Sequence, residues 1–212
     1  MTTTARATTR RAPANRTVAL ARAASARTIF AGFTHRSEIH CLTYGQFSLL
    51  DAITALLNIT GPAAIDMSTW TAGGADITHA KSFLSDGRIT RLRFLVDRSF
   101  PTRQPGYCQE LVRLFGDDAI RTTQTHAKFA TITAPGWSVA VNTSMNMNTN
   151  RRMEYIQAAD DPVLHAFLVA VVDDVFTELP PGAISQTRDM PTLPSLLDLT
   201  PATTLTMGRV TI

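Results

Sequence analysis

Apolar residues in this chain alternate between the spacing typical of β-strands and the spacing typical of α-helices. The predicted elements, in chain order and by residue number, are strand 38–44, helix 47–59, strand 63–70, helix 75–84, strand 91–96, helix 107–115, strands 120–133 and 137–143, and helix 161–179. Strands that alternate with helices are typical of an α/β layered domain. The turn that Pro135-Gly136 predicts between the last two strands indicates a mixed sheet.

The composition predicts one globular domain with a tail at each end. Of the 212 residues, 44% are hydrophobic and 17% are charged, which suits one well-buried core. We expect a basic, disordered leader at 1–27, a domain at 28–179 and a proline-rich extension at 180–212. No apolar run approaches the roughly 20 residues of a membrane-spanning helix. The two cysteines, Cys41 and Cys108, are too few for a disulfide framework or a zinc cluster, so we expect a reducing compartment and no metal or other cofactor.

The positive charge of the chain is concentrated in the leader. Residues 1–27 contain six arginines and no acidic residue, so with a net charge of +3 for the whole chain the remaining residues sum to −3. Four of these arginines are candidates for contacts with nucleic acid, namely Arg6, Arg10, Arg11 and Arg16. A transit-like segment or a solvated terminus would have the same composition. Lysine is scarce, which is compatible with a GC-rich bacterial or phage genome, and we expect a cytoplasmic protein.

Both lysines of the protein lie in a tetrapeptide, Thr-His-Ala-Lys, that occurs twice. Imidazole can attack phosphorus and ammonium can hold phosphate oxygens, so a His-x-Lys pair is a candidate phosphate site. Residues two apart share one face of a strand but diverge on a helix. The first copy lies in a predicted helix, so His79 and Lys81 are expected at the surface. The second copy lies in a predicted strand, so His126 and Lys128 are expected side by side.

Further polar motifs follow the second copy. The sequence reads T-S-M-N at 143–146 and N-R-R-M-E at 150–154. The order His-x-Lys, turn, strand, Ser-x-Asn, Arg and Glu resembles the motif block of the phospholipase D superfamily, which reads H-x-K-x4-D, then G-S-x-N, then N-x-R-x-E. The resemblance is tightest over 125–176 and extends over about residues 28–178. The first copy matches H-x-K-x4-D literally through Asp86, but its predicted helix separates the two side chains.

This resemblance implies a phospholipase D-like half-domain, with a mixed β-sheet flanked by helices on both faces. It also implies metal-independent cleavage of phosphodiesters, and we expect a nuclease. In that family His126 would be the nucleophile that forms a phosphohistidine, and Lys128 would neutralise the non-bridging oxygens. Asn146 and Ser144 would bind phosphate, and Glu154 would orient or charge-balance a histidine.

The same mechanism needs a second histidine to protonate the leaving oxygen. Members of the family have two His-x-Lys blocks, either in a duplicated chain or in two copies of a short one. His79 lies only 47 residues before His126, which is too close for a second half-domain. We therefore expect a two-fold homodimer in which two His126 side chains face each other and titrate as a coupled pair.

Two departures from the family block favour a different hypothesis, a catalytically inactive module that binds nucleic acid or a protein partner. Thr133 stands where the motif has aspartate, and Thr143 stands where it has glycine. His126 taken alone could be a structural histidine, and Glu154 could pair with a neighbouring arginine at the surface. Salt-sensitive binding without turnover would favour this second hypothesis.

Other features are weaker. Three large aromatic residues could line the site or belong to the core, namely Tyr44, Trp70 and Trp137. Gly73-Gly74 is too short for a phosphate-binding loop. A loose cluster of His35, Glu38 and His40 lacks the ligand spacing of a metal site.

Overall fold

The chain forms an eight-stranded β-sheet with helices on both faces. The computed structural model describes residues 15–21, 25–148, 151–179 and 181. The strands are β1 (Asn15–Ala21), β2 (Ser37–Thr43), β3 (Ala63–Thr69), β4 (Ile89–Asp97), β5 (Ile120–Thr123), β6 (Phe129–Ala134), β7 (Trp137–Thr143) and β8 (Glu154–Asp160). The helices are α1 (Ala26–Phe30), α2 (Leu49–Thr60), α3 (Gly74–Ser85), α4 (Phe100–Arg103), α5 (Pro105–Phe115) and α6 (Pro162–Glu178).

The strand order in the sheet is β1-β2-β8-β7-β6-β3-β4-β5. The pairs β1–β2, β3–β4 and β4–β5 are parallel, and the other neighbouring pairs are antiparallel. The prediction of a mixed sheet is therefore confirmed. The predicted hairpin is the β6–β7 pair, and Gly136 in its turn has a φ of 80°, a left-handed conformation that glycine adopts without steric cost.

Strand β6 separates two apolar layers. Ala130 and Ile132 point to the face that is covered by α2, α3 and α5, where the larger core lies. Phe129 points to the opposite face and packs in a smaller core with Leu168 and Val172 of α6. Because side chains alternate along a strand, this pattern places α6 on one face of the sheet and the other long helices on the opposite face.

The ends of the helices follow from local sequence. Ser48 and Asp51 form a reciprocal capping box at the start of α2, and Gly61 ends this helix with a φ of 77°. The Asp161 carboxylate accepts hydrogen bonds from the backbone N–H groups of the first turn of α6, and Pro162 occupies the first helical position.

The prediction of a disordered leader is wrong for residues 15–21. These residues form β1, which pairs in parallel with β2 along its whole length. Arg16 adds an ion pair, since its Nε and Nη2 donate to Oε2 of the buried Glu38 at 3.0 and 2.9 Å. The sequence of β1 lacks a clear apolar pattern because the side chains of this edge strand face solvent. Val18, for example, is 77% exposed.

The predicted domain boundary at residue 28 therefore separates β1 from its sheet, whereas α6 ends at Glu178, next to the predicted boundary at 179. Residues 1–14 lie outside the described part of the chain, and with them the predicted nucleic-acid contacts of Arg6, Arg10 and Arg11. Nearly all of the predicted extension, 180 and 182–212, lies outside it as well.

Two further differences concern strands. The single strand predicted at 120–133 is two strands, β5 and β6, joined by a loop at 124–128. Strand β8 was not predicted, because its start is part of the polar motif at 150–154 and its later residues are small or polar. Within the described ranges, no helix combines the length and the apolar character needed to cross a bilayer.

Candidate active site

The predicted pair His126 and Lys128 lies at the rim of the sheet, in the loop that leads into β6. The two residues are outside any strand, which corrects the prediction that a strand presents them. Their side chains are nevertheless adjacent, with 3.4 Å between Lys128 Nζ and His126 Nδ1. Lys128 Nζ also donates to the backbone oxygen of His126 at 3.0 Å. His126 is exposed and Lys128 is half-buried, so the pair faces solvent from a supported position.

Neighbouring strands hold this loop in place. Asp97, at the end of β4, accepts a hydrogen bond from the backbone N–H of Thr125 at 3.2 Å through Oδ2. Ser68 Oγ, on β3, donates to the backbone oxygen of Ala127 at 2.9 Å. The backbone N–H of Thr143 donates to the backbone oxygen of Lys128 at 3.1 Å. Three strands that are distant in sequence therefore fix the backbone on both sides of His126.

The electrostatic environment of Lys128 is set by burial and by one carboxylate. Partial burial lowers the pKa of Lys128 below its ordinary value, because it disfavours the charged ammonium. The carboxylate of Glu154 acts in the opposite direction and raises the pKa. Glu154, at the start of β8, is thus the carboxylate whose charge acts on Lys128.

Ser144 and Glu154 are in direct contact. Ser144 Oγ donates to Glu154 Oε2 and accepts a hydrogen bond from the backbone N–H of Tyr155 at 2.9 Å. Among the described residues, no hydrogen bond joins Glu154 to His126, and no ion pair joins it to Arg151. The sequence-based role of Glu154 as a partner of histidine therefore stays a prediction.

Thr143 stands where the phospholipase D motif has glycine, and its hydroxyl forms hydrogen bonds with backbone groups. Its Oγ1 donates to the backbone oxygen of Tyr155 at 2.7 Å and accepts from the backbone N–H of Met145 at 2.9 Å. The hydroxyl thus supports the turn that carries Ser144.

Asn146 lies on a loop that is bound to the end of β3. The backbone N–H of Met147 donates to the backbone oxygen of Thr71 at 3.2 Å, and the N–H of Gly73 donates to the oxygen of Met147 at 2.7 Å. The Oδ1 atoms of Asn146 and Asn148 are buried and accept no hydrogen bond in the described part of the chain. Buried polar atoms are normally paired, so this loop has unused hydrogen-bonding capacity next to the rim.

Gly73 permits the close approach of this loop. A Cβ atom at Gly73 would lie 3.3 Å from the Cβ atom of Asn148, which is tighter than ordinary contact. The pair Gly73-Gly74, too short for a phosphate-binding loop, therefore has a packing role here.

A second feature of the rim, not predicted from the sequence, is a group of three neighbouring side chains, in which the rings of Trp70 and His126 are tilted by 58°. The guanidinium carbon of Arg103 lies 3.5 Å from the centre of the Trp70 ring. The centre of the Trp70 ring lies 5.7 Å from that of His126. Of the two sequence-based alternatives for Trp70, the structure favours a place beside the site. Arg103 and Asp97 carried no signal in the sequence, because only the fold brings them to His126.

The first copy of the tetrapeptide lies elsewhere, as predicted. His79 is exposed on α3, with its ring 4.5 Å from that of Phe83, and Lys81 is on the same helix. Arg16, a predicted nucleic-acid contact, is paired with Glu38 on the β1–β2 side of the sheet. Within the described part of the chain, neither the first tetrapeptide copy nor Arg16 contacts His126.

The position of the motif aspartate is occupied by a different polar pair. Thr133 Oγ1 lies 2.8 Å from Nε2 of His165 on α6. On the same face, the buried Asp66 accepts hydrogen bonds from Arg93 Nε at 2.6 Å and from Thr131 Oγ1 at 3.3 Å. The sheet beneath α6 thus keeps a buried carboxylate, although β6 itself has none.

A groove of about 610 Å³ opens beside the rim. It is lined by Lys128 and Ser144 at one side, by Asn142 and Tyr155 on the sheet, and by Phe167 of α6. The groove therefore connects the predicted phosphate-binding residues with the face of the sheet on which α6 lies.

Comparison with known proteins rests on solved structures, because no protein-family model and no curated protein sequence matches this chain. The structure of polyphosphate kinase from Porphyromonas gingivalis is similar, with a TM-score of 0.50 and 14% identity. The match covers 69% of this chain and 27% of the kinase chain, so the chain spans about a quarter of that protein. The domain has a phospholipase D-like fold.

Two further structures with this phospholipase D-like fold are similar over more of their own length. NucT from Helicobacter pylori matches with a TM-score of 0.47 and 15% identity, over 68% of this chain and 99% of NucT. Nuc from Salmonella typhimurium, a phospholipase D family member, matches with a TM-score of 0.43 and 12% identity, over 61% of this chain and 90% of Nuc. The fold implied by the sequence resemblance is confirmed by the first of the three comparisons, together with the mixed sheet and its two helical layers.

Proposed function

We propose that this protein is a metal-independent phosphodiesterase, and specifically a nuclease. The observation that carries the proposal is the adjacency of His126 and Lys128 at an exposed rim, with 3.4 Å between Nδ1 and Nζ. An imidazole with an ammonium at this distance combines a nucleophile with a group that neutralises phosphate oxygens. Ser144, Glu154 and the unpaired amide oxygen of Asn146 lie at the same rim and support the proposal.

The proposed reaction has two displacements. A ring nitrogen of neutral His126 attacks phosphorus, so that a P–N bond forms and the P–O bond to the leaving group breaks. A second histidine, protonated at the start, gives its proton to the leaving oxygen. Water then attacks the phosphohistidine, the P–N bond breaks, and the second histidine takes the proton of the water. Lys128 neutralises the non-bridging oxygens in both steps.

The second histidine is proposed to come from a second copy of the chain. Helix α6 supports this dimer, because it has apolar residues on two sides. Its inner side is buried against the sheet, and its outer side carries the apolar residues Val163, Ala166 and Ala170, while Phe167 and Val171 lie at the edge that lines the groove. Val163 is 54% exposed in the single chain. The outer side becomes acidic toward the end of the helix, at Asp173, Asp174 and Glu178, so the apolar patch is confined to its first half, and a second copy would cover this patch.

The repeated tetrapeptide offers a matched experiment. Hydrolysis of bis(p-nitrophenyl) phosphate and of single-stranded DNA is measured in EDTA for His126→Asn and His79→Asn, and for Lys128→Ala and Lys81→Ala. We expect the changes in the second copy to reduce the rate about a thousandfold or more, and those in the first copy to leave it unchanged. Activity that survives in His126→Asn, or that is lost in EDTA, would contradict the proposal.

The dimer has its own test. Val163→Glu places a charge on the outer side of α6, and we expect a monomer by light scattering together with loss of hydrolysis. Glu178→Gln, at the exposed end of the same helix, is the control and should remain dimeric and active. A wild-type chain that is active as a monomer would contradict the shared site.

A catalytically inactive module is the second candidate, and one observation favours it. Thr133 stands on β6 where the motif has aspartate, and its hydroxyl is paired with His165. This candidate predicts that the folded protein binds single-stranded DNA with strong salt dependence and hydrolyses neither substrate at any pH from 5 to 8.

A further inference from the structure

We propose that Arg103, held on the ring of Trp70, binds the phosphate that neighbours the scissile phosphodiester on a polynucleotide strand. The inference rests on the proposed function and adds to it a preference for substrates with more than one phosphate.

Arg103 is held in one orientation by three contacts. Its Nε donates to Ser99 Oγ at 2.9 Å, and its Nη2 donates to the backbone oxygen of Trp70 at 2.9 Å. Its guanidinium carbon lies 3.5 Å from the centre of the Trp70 ring, within the range of a cation–π contact. These contacts use one face and one edge of the guanidinium. The N–H groups of Nη1 have no partner among the described residues, and the side chain is exposed.

The charge of Arg103 is not neutralised within the described part of the chain. Four other arginines in the described ranges are paired with carboxylates, since Arg16 contacts Glu38, Arg88 contacts Asp86, and both Arg91 and Arg93 contact Asp66. Arg103 forms no ion pair with a carboxylate of any described residue. The nearby Asp97 instead accepts hydrogen bonds from the backbone and side chain of Ser99. A fixed, unpaired guanidinium at the surface is suited to a phosphate, which it can contact through two parallel N–H groups.

The position of Arg103 identifies which phosphate it would contact. Trp70 lies against both Arg103 and His126, so the guanidinium carbon can be no farther from the centre of the His126 ring than the two distances of 3.5 and 5.7 Å combined. Within this limit, neighbouring phosphates of one nucleic-acid strand can reach the two residues at the same time. Lys128 contacts His126 directly. A strand whose scissile phosphate lies at His126 and Lys128 would therefore bring its next phosphate to Arg103.

The substrates of the test differ by one phosphate. The full-length protein is assayed with a dinucleoside monophosphate, which has one phosphodiester, and with the trinucleotide that extends it by one nucleotide. We expect Arg103→Gln to reduce the ratio of kcat/KM for the trinucleotide to kcat/KM for the dinucleotide about tenfold, because a charge-assisted contact to the second phosphate is lost. Arg103→Lys, which keeps the charge but not the planar fork, should lose an intermediate amount. Arg113→Gln, an exposed arginine on α5, makes the same change in charge and should leave the ratio unchanged.

A binding measurement separates this inference from the proposed function. In a His126→Asn background, affinity for a single-stranded oligonucleotide is measured from 50 to 200 mM salt, with and without Arg103→Gln. We expect the added change to reduce the slope of log affinity against log salt by about one unit or somewhat less. Failure of the wild type to hydrolyse the one-phosphate substrate contradicts the proposed function. An unchanged ratio and an unchanged slope in Arg103→Gln, or an equal loss with both substrates, overturns the role of Arg103.

Discussion

The hydroxyl of Thr133 lies 2.8 Å from Nε2 of His165, and this contact joins strand β6 to helix α6. His165 is buried on the face of the sheet opposite the larger core, whereas Thr133 is exposed. Burial lowers the pKa of His165 below its ordinary value of 6.5, because it disfavours the charged imidazolium, while the carboxylates of Asp66 and Asp160 act in the opposite direction. The native state therefore favours neutral His165.

This pairing predicts how stability depends on pH. The unfolded chain binds a proton at His165 more readily than the native chain, so stability is complete above about pH 6.5 and decreases as the pH falls through the lowered pKa. Urea unfolding should show a smaller loss between pH 7.5 and 5.5 for His165→Gln than for the wild type, by at most about 1.4 kcal/mol per pH unit. His79→Gln is the control and should keep the wild-type dependence. Equal dependence in His165→Gln and the wild type would contradict the assignment.

Asp97 lies outside the phospholipase D motif, but it positions the loop that carries His126. Asp97→Ala removes the acceptor for the N–H of Thr125, so we expect kcat to decrease about 10- to 100-fold through misplacement of His126. The free energy of unfolding should change by no more than about 1–3 kcal/mol, because one hydrogen-bonding carboxylate is lost. Both quantities are compared with those of Asp86→Ala, which removes an exposed carboxylate paired with Arg88. Full activity in Asp97→Ala would show that the loop is held without this contact.

Glu154 is expected to set the alkaline limit of activity through Lys128. The glutamate raises the pKa of Lys128 against the effect of burial, so Glu154→Gln lowers that pKa further. Because the proposed role of Lys128 requires the charged ammonium, the decrease of kcat/KM at high pH should begin at a lower pH in this variant. The measurement is the pH profile of kcat/KM from pH 6 to 10, with Glu178→Gln as control. An alkaline limit that does not move would argue against electrostatic coupling of the two groups.

Gly73 is expected to be needed for the loop that carries Asn146. Gly73→Ala places a Cβ atom 3.3 Å from that of Asn148, so the loop must shift. We expect a loss of about 1 kcal/mol in the free energy of unfolding, typical of mild overpacking, together with reduced hydrolysis. Gly106→Ala is the matched change, since its Cβ atom would meet no other atom within 4 Å. Equal behaviour of the two variants would contradict a packing role for Gly73.

Much of the fold could be predicted from local sequence. Gly61 and Gly116 end helices at the expected places, and Pro135-Gly136 forms the expected hairpin. Long-range pairing could not be predicted in the same way. Strand β8 has a weak apolar pattern and is defined by its hydrogen bonds to β2 and β7, which are distant in sequence.

The candidate site shows the same division. The sequence favours the second tetrapeptide because a strand would place the side chains of His126 and Lys128 next to each other. The structure has a loop at this position, but the two side chains are still adjacent. Arg103 and Asp97 could not be found from the sequence, because neither belongs to a motif. They come to His126 only because β4 lies beside β3 and the helix that follows β4 returns to the end of β3.

The position of strand β8 between β2 and β7 has a consequence for biosynthesis. When the ribosome has released residues up to Thr143, β2 still lacks its antiparallel neighbour, and Glu154 has not reached Ser144 and Lys128. The rim around His126 is therefore completed only after nearly the whole described chain has left the ribosome. The proposed nuclease would in this way have a complete site only once β8 has joined the sheet, after most of the chain has left the RNA-rich ribosome.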